Sequence, residues 1–198
     1  MIAAAVAIPT TEGAWDLPSR ARVGMFCLVA AEAAMFTIFV VAYLFYAGKS
    51  LAGPTPRGVL RMPIVGTVCL LASSLTIHQA VRALRRGATT PFGSWWLATI
   101  ALGTTFMYGT AREWRHLIFD EGLTVQVNLF GTTYYSLVGL HAFHVTVGLL
   151  LLAAVWLFSA SGQIAQQHAD RVDVLSLYWH FVDAVWVVVF LVVYVVAR

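Results

Sequence analysis

The chain has 198 residues, the length of about one domain; 60% of them are hydrophobic, 11% are charged, and the mean hydropathy is +0.81. Soluble domains carry about a quarter charged residues, so this composition excludes a soluble globular protein and defines an integral membrane one. The formal net charge of +3, from 12 basic and 9 acidic residues, is spread over short gaps between apolar runs, as at a membrane surface, and leaves no nucleic-acid footprint.

Residues 1–20 read as an N-terminal lead-in. Met1 to Pro9 is apolar but short and lacks the positive start of a signal peptide, and Thr10 to Ser19 is polar. A helix needs roughly 20 apolar residues to cross a bilayer. Five runs qualify within residues 21–198: Ala21 to Gly48, Met62 to Leu84, Trp95 to Ala111, Val127 to Phe158 and Val174 to Ala197. The predicted fold is therefore all-α, a polytopic bundle of five transmembrane helices. The third run is the shortest, and the fourth, about 32 residues, is longer than a bilayer requires. Glycine and proline punctuate the gaps, Pro91 among them. Cys27 and Cys69 lie in separate apolar runs without CxxC spacing and read as buried packing residues.

Five spans put the termini on opposite sides of the membrane. Arg20, Arg22, Arg82, Arg85, Arg86 and Arg171 fall on one side, and Lys49, Arg57, Arg61, Arg112, Arg115 and Arg198 on the other, a tie that leaves orientation open. The Arg82, Arg85 and Arg86 cluster leans toward a cytoplasmic N-terminus.

An ionised side chain at mid-bilayer costs about 2.5 to 3.5 kcal/mol or more, so each needs a partner, a cavity or a proton. In the first span Glu32 lies about ten residues, roughly 15 Å, from the start, with only apolar neighbours on its own helix. A protonated carboxyl is expected there, acting either as interhelical glue or in proton handling. In the second span Thr67, Ser74 and His78 share a face. In the fourth, Tyr134, Leu137, His141, His144 and Gly148 do. In the fifth, Asp173, Ser176, His180, Asp183, Val187, Phe190 and Tyr194 follow three-four spacing. Interhelical hydrogen bonding accounts for most of these polar groups.

A haem held by His78, His141, His144 or His180 is a rival reading, although His141 and His144, three apart on one helix, cannot bind one iron from both sides. No ligand cluster has zinc or copper spacing. A small transporter using the buried acids is a further rival, and the chain lacks the internal repeat that such folds show. His116 beside Arg112, Glu113 and Arg115 reads as a solvated helix end.

The segment YWHFVDAVW, Tyr178 to Trp186, closely resembles a signature of subunit III of the haem-copper terminal oxidases. GLHAFHVTVG from Gly139, AAEAAMF around Glu32, LLASSLTIHQA from Leu70 and REW from Arg112 are also similar to that family, from about Arg22 to the C-terminus. Thr110 stands where the family usually has glutamine, and Asp173 where it usually has glutamate. The likeness is to the five-span form, which lacks the first two helices of the long members and with them one wall of a lipid cleft.

The resemblance implies an accessory subunit of a bacterial respiratory oxidase in the cell (inner) membrane. No catalytic residue, metal or redox centre is expected in this chain. Haem and copper belong to partner subunits I and II, cytochrome c delivers electrons through subunit II, and membrane phospholipids are further partners. Glu32, Asp173, His180 and Asp183 become proton-handling or structural candidates, and His78, His141, His144 and Tyr178 interhelical polar ones. A quinol oxidase subunit III or a nitric oxide reductase-associated homologue is the nearest alternative.

Overall fold

The computed structural model describes residues 19–50 and 53–196. Nearly all of the predicted lead-in, and Arg198, lie outside the described residues. Five long helices run Arg20–Tyr46 (α1), Ile64–Arg85 (α3), Thr89–Phe119 (α4), Leu129–Ala160 (α5) and Ala169–Phe190 (α6), with one turn at Pro56–Val59 (α2) before α3. A 3₁₀ turn at Gln166–His168 leads into α6, and the helical path continues past it with wider turns over Leu191–Val196. Among the described residues there is no strand.

Four segments, α1, α3, α5 and α6 with its extensions, are long and apolar enough to cross a membrane. The third predicted span differs most: α4 is 31 residues long, among the longest helices rather than the shortest. Pro91 does not separate spans but sits in the first turn of α4, where its missing N–H costs nothing. Beyond Ala111 the helix runs on through Arg112 to Phe119. Threonines lower the apolarity of α4, yet Thr99, Thr104, Thr105 and Thr110 each donate to the carbonyl four residues back, at 2.8 to 3.2 Å, and so satisfy their hydroxyls within the helix.

Local chemistry sets the ends. Ser19 Oγ accepts from Arg22 N at 3.3 Å at the start of α1, and Asn128 Oδ1 accepts from Gly131 N at 2.8 Å at the start of α5. At the end of α3, Gly87 takes φ +75°, which favours glycine, and the chain turns back into α4.

Helix α6 packs on α1, α3 and α5, while α4 closes the other side against α3 and α5. The indole of Trp179 fills a slot cut by Gly103 of α4 and Gly148 of α5: a Cβ on either glycine would lie within 2.9 Å of the ring. Its Nε1 donates to Ser73 Oγ of α3 at 2.8 Å, so one side chain ties α6 to three neighbours. Seven positions on, Trp186 Nε1 donates to Thr67 Oγ1 at 3.1 Å. Against expectation, Cys27 is exposed, because α1 turns much of its surface outward, and Cys69 is half-buried.

Candidate functional site

An ion pair at one end fixes the register of the helices. Asp173 Oδ2 of α6 receives Arg22 of α1 at 2.5 Å and Arg85 of α3 at 2.9 Å, which clamps three helices where they meet the surface. Helices α1 and α6 both lead away from this clamp. Glu32 is ten residues beyond Arg22 and Asp183 ten beyond Asp173, so both acids lie at one level, about 15 Å inside. They do not share a partner.

Glu32 points at α5, where its Oε2 lies 3.0 Å from His144 Nε2. The other ring nitrogen, Nδ1, is 2.8 Å from the Leu140 carbonyl. A carbonyl can only accept, so Nδ1 carries hydrogen. Nε2 must then either accept from a protonated Glu32 or donate, as imidazolium, to its carboxylate. Both forms hold one proton between two groups and have no net charge, which suits a low-dielectric setting. His144 is buried and the Glu32 side chain is 23% exposed, so the pair reaches the surface of the chain between α1 and α5. Phe36 lies over the His144 ring with centroids 5.0 Å apart, and Tyr178 Oη donates to the His144 carbonyl at 3.3 Å.

Asp183 turns toward α3 instead. Its Oδ2 accepts a short bond from Ser74 Oγ, and the same Oγ is 3.1 Å from His180 Nδ1. His180 and Asp183 are thus joined through a hydroxyl of another helix rather than directly. Asp183 is 3% exposed, and its second oxygen has no partner.

The remaining histidines separate. His141 is fully buried in an aromatic box: Trp186 stacks on it at 5.1 Å between centroids, with Phe106 at 5.8 Å and Phe36 at 6.5 Å edge-on, and neither ring nitrogen has a hydrogen-bond partner. His78 is exposed on α3. Of the four histidines of the haem reading, His141 is walled off by rings and both nitrogens of His144 are engaged, so neither of these two is placed to hold an iron. Among the described residues no three His, Cys, Asp or Glu side chains group as metal ligands.

One cluster escaped sequence reasoning. Glu113, placed above at a solvated helix end, accepts from Tyr194 Oη of the last helical segment at 2.9 Å, and Tyr194 Oη is 3.4 Å from Tyr134 Oη of α5. Tyr194 and Tyr134 are almost wholly buried. The stripes carrying Tyr134 and Tyr194 were visible in sequence; nothing local linked Tyr194 to an acid 81 positions away.

The family model for cytochrome c oxidase subunit III matches residues 16–198. A cytochrome c oxidase subunit 3 of Synechocystis sp. is 36% identical over 89% of this chain and 76% of its own length. Another from Corynebacterium diphtheriae is 31% identical over 96% and 94%. A cytochrome bo(3) ubiquinol oxidase subunit 3 of Pseudomonas aeruginosa is 32% identical over 86% and 82%.

Proposed function

The chain belongs to the cytochrome c oxidase subunit III family, and we propose that it is the member of a bacterial inner-membrane respiratory oxidase that carries no redox centre. In this reading it packs on a catalytic subunit I, electrons from cytochrome c enter through subunit II, and haem and copper reside in those partners. Three arrangements support it: a histidine sealed among rings, a second with both nitrogens engaged, and buried acids that bond hydroxyl or imidazole groups. Such a chain is built to hold helices and protons in place.

The observation that carries the proton role is the 3.0 Å contact between Glu32 Oε2 and His144 Nε2, deep in the bundle and open to the surface of the subunit. The pair can take up or yield a proton toward a neighbouring subunit and so support proton uptake during turnover. Asp173, held by two arginines, serves as a clamp, and the Ser74–His180–Asp183 group joins α3 to α6.

The test is Glu32→Gln in the assembled oxidase. A glutamine amide can still donate to His144 Nε2, so packing persists, but the pair can no longer take up or release the carboxyl proton. Normal assembly with slower proton uptake and a shorter active lifetime is the expected result. Uptake and lifetime equal to wild type would reduce Glu32 to a packing residue.

The ubiquinol oxidase relative in Pseudomonas aeruginosa favours a second reading, in which the electron donor is a quinol. Mass spectrometry of the gently purified complex separates the two by the partner subunits it contains.

A further inference from the structure

At the membrane end opposite the Asp173 clamp, a cavity of about 880 Å³ opens between the segment from Val59 to Gly66 and the C-terminal turns of α4. Three arginines line it: Arg61 just before α3, and Arg112 and Arg115 on α4. All three are exposed, and none makes an ion pair among the described residues. The same wall holds two acids, Glu113, which accepts from the Tyr194 hydroxyl at 2.9 Å, and Asp120, 2.7 Å from His116 Nδ1, so three arginines face two carboxyl groups. His116 also faces Glu121 at 3.5 Å. Positive charge is therefore left over in this cavity.

What leaves the cavity is apolar. Ile64, Val68, Leu71 and Leu75 follow spacings of four, three and four along one face of α3, and all are exposed, from 42% to 72%. This stripe begins in the cavity wall at Ile64 and runs about 16 Å toward the far side of the bilayer. A free phosphate would have no use for it. A cationic pocket at the interface, continuous with an apolar track of this length, matches a molecule that has an anionic head and hydrocarbon tails.

We propose that this cavity binds the phosphate of an anionic phospholipid, whose acyl chains lie along the Ile64, Val68, Leu71 and Leu75 face of α3. The inference goes beyond the oxidase reading and does not depend on it, since it needs only that the chain sit in a bilayer. The arginines supply charge-assisted bonds to the phosphate oxygens, for which the guanidinium fork is well shaped.

The test uses the intact membrane complex, delipidated by detergent exchange and followed by native mass spectrometry as dioleoylphosphatidylglycerol, dioleoylphosphatidylcholine or inorganic phosphate is added. A matching complex carries Arg61→Gln, Arg112→Gln and Arg115→Gln. Each basic residue at a membrane surface is worth about fivefold in affinity for anionic lipid, so the triple variant should bind phosphatidylglycerol here roughly a hundredfold more weakly. A diazirine-bearing phosphatidylglycerol fixes the location: label is expected on residues 59–75 and 104–120 of the wild-type chain and lost from the triple variant. Label elsewhere, none in the intact complex, equal binding of phosphatidylcholine, or displacement by inorganic phosphate would each overturn the proposal. Should the triple variant fail to assemble, Arg61→Gln against Arg61→Lys makes the same comparison: label about fivefold lower with glutamine and kept with lysine supports the site, and equal label in both overturns it.

Discussion

Helices α1 and α6 lead away from the same ion-pair clamp and are similarly apolar, yet only Phe36 and Tyr43 are buried on α1, whereas half of the 22 residues of α6 are. In water such apolarity would demand burial of both. In a bilayer lipid is as apolar as leucine, so hydrophobicity buys residence in the membrane and does not decide which helix lies inside the bundle. That is decided by shape and polar bonding: α6 carries two indoles with N–H partners on α3, a ring slot between glycines and a carboxyl bonded to Ser74. On α1 the corresponding features are few, chiefly Phe36 and the Glu32 bond to His144.

Substitutions on the two helices should separate accordingly. Trp179→Ala empties the slot between Gly103 and Gly148 and should cost the most, about 3 to 5 kcal/mol, read as loss of resistance to denaturant in detergent. Asp183→Leu comes next: it removes the acceptor of the Ser74 hydroxyl, leaving Ser74 only its contact with His180 across the α3–α6 seam, and should cost about 1 to 3 kcal/mol, seen as lower yield of the assembled complex. A wild-type yield would show that the α3–α6 seam does not need that group. The smallest effects belong to α1, with a contrast inside it. Ile38→Ala, at a position 68% exposed, should change the stability of the isolated chain by about 0.5 kcal/mol or less, and Phe36→Ala, at 4%, by clearly more. If Ile38→Ala lowers assembly of the complex while sparing the isolated chain, the outer face of α1 is covered by another subunit rather than by lipid.

The helices were legible because lipid demands long apolar runs. Their true ends were less so: hydropathy registers only the middle of α4, the turn around Ser94 is Thr-Thr-Pro-Phe-Gly-Ser and reads as a loop, and that around Arg115 carries helix formers in polar company. At the site, Glu32, His144, His180 and Asp183 stand out in sequence because polar groups are rare in such surroundings. Their pairing did not follow. Glu32 and His144 are 112 positions apart, and Ser74 comes between His180 and Asp183 from a second helix. Glu113 was missed for the opposite reason, since beside two arginines and a histidine an acid attracts no notice. The outward placement of Cys27 follows the same logic as α1 as a whole: an apolar residue type does not say which apolar medium it meets.

The slot for Trp179 also has a bearing on biogenesis. Its walls belong to α4 and α5, and the hydroxyl that receives its N–H belongs to α3, all of which leave the ribosome before α6. The groove between these three earlier segments therefore precedes, in synthesis, the ring that fills it. Until α6 arrives that groove has no ring to fill it, although the Ser73 hydroxyl already donates to the Leu70 carbonyl of its own helix, so what the late helix completes is packing rather than a missing hydrogen bond.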